Sequence, residues 1–194
     1  MADNRTDPRF ILLAALVAVL SAAAGFSLWQ LRQEGPSTMT AALRILPEPR
    51  VIADFELIDQ DGAPLTLEQL RGKWSLLFFG FTHCPDICPS TLYDLQQVNQ
   101  TLTAGAQSEA AHQVIFVSVD PERDSPRRLK EYTAYFDPDF IAASGDPEQM
   151  TALTRQLGVA WRIEPHEPGE ANYTVDHSAS VMLTDPQGRL HGVF

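Results

Sequence analysis

Apolar residues in this chain gather in one long block and then in a series of short ones. The long block covers residues 10–29, FILLAALVAVLSAAAGFSLW, in which only Ser21 and Ser27 are polar and no residue is charged. That length spans the hydrocarbon core of a bilayer, so a transmembrane segment is expected at residues 10–30 behind a short tail at 1–9. Polar, proline-bounded residues 31–49 read as a tether. From there the pattern changes to short elements. Residues 51–57 (VIADFEL) alternate as a strand does, and the Asp59-Gln-Asp-Gly that follows marks a hairpin turn. Thr66-Leu-Glu-Gln-Leu-Arg-Gly predicts a short helix stopped by Gly72. Residues 75–81 (SLLFFGF) and 114–119 (VIFVSV) are too uniformly apolar for half-exposed strands and fit the middle of a sheet.

Between and after those two strands, helical spacing is expected three times. Residues 89–104 place Leu92, Leu95, Val98, Asn99 and Leu102 on one stripe, with Asn99 its polar flaw. Ser125 followed by Pro126 opens a second helix, and Asp146 followed by Pro147 opens a third that runs to Leu157 and stops at Gly158. Short strands are expected at 140–143 and 159–163. A polar loop (PHEPGEANYT) follows, and then a hairpin of 178–183 and 189–194 about Asp185-Pro-Gln-Gly. Strands alternating with helices and ending in a hairpin predict an α/β sheet with helices on both faces, built by residues 50–194. The chain ends at Phe194 inside an apparent strand; either another segment covers the sheet there or the chain is short at that end.

The apolar block has two competing readings. Ser21-Ala-Ala-Ala-Gly offers small residues suited to signal-peptide cleavage, but the apolar run is long for a signal and Asp3 and Asp7 offset Arg5 and Arg9. A buried core helix with no polar face would be unusual at this length. An uncleaved signal anchor in the inner (cytoplasmic) membrane, with the domain translocated to the periplasm, is the expectation. The net charge of −11, with lysine only at 73 and 130, argues against a nucleic-acid partner. Such acidity serves solubility, or steers the domain toward a cationic partner or a metal.

The two cysteines are Cys84 and Cys88, in Phe79-Gly-Phe-Thr-His-Cys-Pro-Asp-Ile-Cys-Pro-Ser directly after a predicted central strand. If a helix begins near Pro85, their i,i+4 spacing puts both sulfurs on one face of its first turn, where the helix N-terminus favours thiolate. Pro85 and Pro89 stiffen that turn. Two soft donors on one rigid turn form a metal clip or a dithiol switch; a structural disulfide or a pair of small core residues is the plainer alternative.

The blocks Phe78-Phe-Gly-Phe-Thr-His-Cys-Pro-Asp-Ile-Cys-Pro, Val117-Ser-Val-Asp-Pro-Glu-Arg-Asp-Ser-Pro and Val175-Asp-His-Ser-Ala-Ser resemble, in that order, the SCO/SenC proteins. The resemblance runs from about residue 49 to 194 and implies a membrane-anchored, thioredoxin-like fold with a central mixed sheet. It implies copper binding and a part in assembling the Cu(A) centre of cytochrome c oxidase, with the Cu(A)-bearing subunit and a copper donor protein as partners. Carried onto this chain, the family's copper ligands fall on Cys84, Cys88 and His177. Family members usually continue past the hairpin into a last helix that this chain lacks.

By analogy of fold, the loop carrying His177 crosses opposite the start of the cysteine helix. Two thiolates and one imidazole are a soft, trigonal set suited to Cu(I), with Cu(II) left open, whereas structural zinc would want a fourth ligand. Asp176 reads equally as the acceptor that orients the His177 ring and as a loop cap. His83, beside Cys84, is expected to be an exposed neighbour, and His112, His166 and His191 to be bland. Asp86 either tunes the thiols or meets a partner, or simply complements the helix dipole. Asp120-Pro-Glu-Arg-Asp-Ser-Pro follows a strand end and is expected to do turn and cap chemistry. The leading function is a copper chaperone and assembly factor, not a conventional enzyme, whose redox-active Cys84/Cys88 pair could also reduce its acceptor's cysteines. A periplasmic thiol–disulfide oxidoreductase is the alternative, with a thiol peroxidase third.

Overall fold

The computed structural model describes residues 16–23, 25–26, 43–105 and 111–194. Two units separate, Met1–Ala42 and Leu43–Phe194. In the first, residues 16–23 and 25–26 are helical and exposed. The rest of the expected span at 10–30 lies outside the described residues, among which no helix is long and apolar enough to cross a membrane.

The second unit is an α/β fold on a mixed sheet. Its strands are β1 (Arg44–Val51), β2 (Glu56–Asp59), β3 (Pro64–Thr66), β4 (Trp74–Gly80), β5 (His112–Ser118), β6 (Ile141–Ser144), β7 (Trp161–Ile163), β8 (Val175–His177), β9 (Val181–Thr184) and β10 (Arg189–Val193). The helices are α1 (Leu67–Leu70), α2 (Ile87–Ala104), α3 (Pro126–Ala134) and α4 (Pro147–Leu157). Eight strands lie in the order β1-β10-β9-β4-β5-β6-β2-β3, while β7 and β8 form a separate two-stranded sheet. β4 runs parallel to β5 and β5 to β6, as the crossovers through α2 and α3 require, and β9 pairs antiparallel on the other side of β4. From Ser75 to Gly80 and from Gln113 to Ser118 every residue of β4 and β5 is buried, which explains their unbroken apolar runs. Phe78, Phe79, Phe116 and Val117 fill the centre.

The expected caps form. The Ser125 side chain accepts from the Arg128 N–H, and Asp146 accepts from Glu148 and Gln149, each with proline in the first turn. Gly158 ends α4 at φ 75°, a left-handed conformation that glycine enters without steric cost.

Three expectations change. The folded unit begins at Leu43 rather than at residue 50, because residues 44–49 of the expected tether, with Arg50 and Val51, form β1 along the free edge of β10. Pro47 and Pro49 hid it: proline cannot donate to a ladder, but an edge strand tolerates it, and the pairing register shifts between Ile45 and Arg50. Residues 52–55 are not strand. Ile52 and Phe55 are buried there, while the Ala53 N–H donates to the Gln156 side chain of α4 instead of to a strand. The buried stripe of α2 stops at Leu95, leaving Val98 and Leu102 exposed, while Asn99 bridges Asp137 and His112.

Asp146→Ala removes the cap of α4 and should cost about 1 kcal/mol in urea denaturation while leaving the reactivity of the two thiols unchanged.

Candidate metal centre

β4 ends at Gly80, and the chain turns at Phe81–Asp86 before α2 begins at Ile87. Cys84 therefore lies in the turn, its N–H bonded to the Phe81 carbonyl at 3.2 Å, and only Cys88 is helical. This corrects the expectation of a helix starting near Pro85. The sulfurs still face each other, because the Cys88 N–H, one of the free donors of the first helical turn, points at Cys84 Sγ at 3.4 Å. Asp86 takes the N-cap position without a side-chain capping bond. Both cysteines are free thiols, Cys84 partly buried and Cys88 fully so.

His177 is the last residue of β8, not a loop residue as expected, and pairs across the ladder with Trp161. Its Nε2 lies 3.3 Å from Cys88 Sγ, and its Nδ1 lies 3.1 Å from the Ser178 carbonyl. A carbonyl only accepts, so Nδ1 carries the proton and Nε2 presents its lone pair to the sulfurs. The backbone thus does the orienting that was half-expected of Asp176, whose carboxylate instead pairs with Arg162 at 3.2 Å. Phe78 and Phe81 meet the imidazole with their rings at 6.1 and 5.7 Å.

Cys84, Cys88 and His177 bring their donor atoms within 4.8 Å of one another, the one such converging group among the described residues. Donors held about 2–2.3 Å from a three-coordinate ion stand roughly 4 Å apart, so the group is close to the spacing that an ion would impose. Burial, and then the hydrogen bond with Cys84, push the Cys88 thiol far above the ordinary cysteine range. A backbone hydrogen bond from Phe81 pulls the other way but does not outweigh burial, and the Cys88 amide itself is spent on Cys84. A soft cation would displace the Cys88 proton, converting a buried thiol into a charge-compensated ligand. The centre opens to solvent through a hollow of about 520 Å³ lined by Phe81, Cys84, Ile87, Arg123, Tyr173 and His177 among others.

His83 does not join the sulfurs; its ring turns to the Thr82 hydroxyl (3.2 Å) and toward Asp124 (3.8 Å). The acidic segment after β5 does more than turn chemistry. Asp124, buried, accepts from the Thr82 N–H at 2.9 Å and the Thr82 hydroxyl at 2.6 Å, two residues before Cys84. Asp120, also buried, pairs with Arg123 and accepts from the Tyr173 hydroxyl. Burial and that bond hold the Tyr173 phenol above its ordinary range. The Asp-Pro-Glu-Arg-Asp spacing hinted at Asp120 and Asp124; nothing in the sequence marked Tyr173, or Gly80, whose missing side chain makes room for Cys88. A Cβ on Gly80 would stand 2.8 Å from Cys88 Sγ and 2.9 Å from the Phe116 ring. His191 packs edge-on against Trp74, away from the centre.

His166 is not bland. Its side chain is 11 % exposed, with Nδ1 2.8 Å from the Glu164 carbonyl and Nε2 3.0 Å from the Glu122 carboxylate. Both nitrogens face acceptors, a geometry that only the imidazolium satisfies.

A sequence model of the SCO1/SenC family matches residues 44–194. The chain belongs to the SCO1/SenC family. It is 39 % identical over 152 residues to a putative copper-binding protein of Stutzerimonas stutzeri, covering 78 % of this chain and 72 % of that one. The structure of Bradyrhizobium japonicum ScoI with copper bound matches at 38 % identity and a TM-score of 0.65, covering 74 % of this chain and 88 % of that chain. BsSco, described as a cytochrome c oxidase assembly protein of the Sco family with a disulfide switch, matches at 25 % identity and a TM-score of 0.58 over 78 % of this chain and 87 % of its own. The α/β fold with its central mixed sheet is thus the thioredoxin-like fold of the Sco structures.

Two outcomes follow from this geometry. Gly80→Ala should displace Cys88, cost about 1–3 kcal/mol in urea denaturation, and let a thiol reagent that meets Cys84 first in the parent reach both sulfurs. The Glu164 carbonyl, then Glu122, raise the His166 pKa, with Glu170 adding to the effect. The resulting stabilisation is complete below the ordinary value of 6.5 and is lost as pH rises through the raised one. The stability difference between the parent and His166→Gln should therefore shrink with rising pH across that range, and a difference that grows would contradict the reading.

Proposed function

We propose that this SCO1/SenC protein binds one Cu(I) through Cys84, Cys88 and His177 and serves cytochrome c oxidase assembly by passing that copper to the Cu(A)-bearing subunit. The observation that carries the reading is the convergence of two sulfurs and one imidazole lone pair at the mouth of an open hollow. Copper bound in the B. japonicum relative supports the choice of metal, since two thiolates and an imidazole are soft donors that favour Cu(I). Exposure also fits transfer. Cys84 lines the hollow while Cys88 lies behind it, so an incoming thiolate meets Cys84 first and ligands exchange one at a time.

The same dithiol supports a second role, reduction of the acceptor's cysteines before metallation. Cys84 as the accessible attacker and Cys88 as the buried resolver would hand two electrons and two protons to an acceptor disulfide and close their own disulfide. The disulfide switch described for BsSco supports this reading. A periplasmic thiol–disulfide oxidoreductase acting without copper is the alternative. An anchor at residues 10–30, with the domain on the periplasmic side and supplied by a copper donor protein, completes the proposal.

The reduced domain should take up one Cu(I) per chain under a competing chelator, and the disulfide form none, because a disulfide sulfur lacks the charge of a thiolate donor. Cys84→Ser, Cys88→Ser and His177→Ala should each lower the affinity at least about tenfold with the fold intact by circular dichroism. X-ray absorption showing only nitrogen and oxygen around the metal would sink the assignment, and disulfide exchange without copper retention would favour the oxidoreductase.

A further inference from the structure

A column of flat groups runs from the surface to His177. The His166 and Tyr173 rings stack with centroids 3.7 Å apart and planes 13° from parallel. The Arg123 guanidinium carbon lies 3.7 Å from the same tyrosine centroid, so the two partners must take opposite faces of the ring. That guanidinium also lies 5.6 Å over Phe81, and Phe81 meets His177 edge-on at 5.7 Å and 88°. Hydrogen bonds hold the middle of the column. Arg123 Nε pairs with buried Asp120, Nη1 donates to the carbonyls of Ala171 and Tyr173 at 3.1 Å each, and the Tyr173 hydroxyl donates back to Asp120.

These contacts share one destination, the chain entering β8. That strand is three residues long and, among the described residues, pairs with the three residues of β7 alone, a ladder too short to hold a side chain in place by itself. Beyond His177 the backbone is fastened by the Ser178 N–H to the Ala160 carbonyl at 2.8 Å. Ahead of it the Glu164 N–H donates to the Thr174 carbonyl at 3.0 Å, and beyond that bond the segment is held at Ala171 and Tyr173 by Arg123, whose side chain is only 10 % exposed. Phe81 stands three residues before Cys84, so the same guanidinium touches the approach to both halves of the centre.

We propose that Arg123 is a positioning residue that keeps His177 over the cysteine pair by clamping Tyr173 and the segment before β8, without touching the metal. The proposal rests on the copper reading for its affinity test and on the fold alone for its second test. A guanidinium forks across a carboxylate, two carbonyls and two ring faces at once, which neither lysine nor glutamine can do.

The test is a double-mutant cycle on the reduced, membrane-extracted full chain, with Cu(I) affinity measured by chelator competition. Arg123→Gln should lower affinity about tenfold, the scale of losing hydrogen bonds from a buried charge. In a His177→Ala background it should change affinity less than about twofold, because the ligand it positions is gone. Arg123→Lys should not restore binding. Tyr173→Phe, which keeps the ring and loses only the bond to Asp120, should show a smaller drop that also needs His177, and it keeps the proposal testable if Arg123→Gln does not fold. An equal loss in both backgrounds, or no loss, overturns the proposal. Hydrogen exchange of the metal-free protein separates the two readings. The Val175–His177 amides should exchange about tenfold faster in Arg123→Gln, or detectably faster in Tyr173→Phe, while the amides of α2 stay unchanged. Faster exchange in the variants together with a parent that binds no copper would sink the copper reading and support the clamp; unchanged exchange in the variants would overturn the clamp whatever the copper result.

Discussion

Cys88 sits where a helix start meets a strand end, and there is no room there for one more carbon. Its sulfur fills the space that a side chain on Gly80 would need, with the Phe116 ring against the same point. That close approach sets the geometry of the centre. It fixes how far α2 stands from β4, places the Cys88 amide against Cys84, and brings His177 Nε2 within 3.3 Å of the buried sulfur. That nitrogen presents its lone pair because Nδ1–H donates to the Ser178 carbonyl and so keeps the proton on the other side of the ring. A backbone contact on each side therefore sets which atom of each group faces the centre.

Burial gives the centre two stable conditions. With no metal, desolvation favours the neutral Cys88 thiol over a thiolate in the sheet core. A soft cation removes that proton and neutralises the sulfur in one exchange, and a two-electron oxidation removes it by closing a disulfide. Both routes would escape the same electrostatic penalty, so in the proposed function copper binding and dithiol chemistry would draw on one pair of atoms. Cys84, lining the hollow, is the sulfur that an incoming partner would meet first.

One short segment after β5 braces both arms of the centre. Asp124 holds Thr82 ahead of Cys84, and Asp120 with Arg123 holds Tyr173 ahead of His177. Both carboxylates are buried, a costly placement that is tolerable because each is matched by donors. The two arms come from sequence positions about ninety residues apart, and this shared brace keeps them in register with each other.

Local chemistry was legible in the sequence. The unbroken apolar runs declared β4 and β5 as central strands, Ser125–Pro126 and Asp146–Pro147 announced their helices, and Asp185-Pro-Gln-Gly marked the last hairpin. The Cys84, Cys88 and His177 set was visible through motifs whose order resembles a known family. Features that depend on a distant partner were not visible. β1 was masked by prolines that only an edge position permits, residues 52–55 lost their strand to the side chain of Gln156, and His177 gained one from β7. The tautomer of His177, the protonated Cys88 and the clamp on Tyr173 likewise came from groups far along the chain. Spacing and propensity act over a few residues, so the sequence by itself determined which elements form and which donors are present. Burial and long-range hydrogen bonds exist only once the sheet has closed, and they alone decided how those donors face one another.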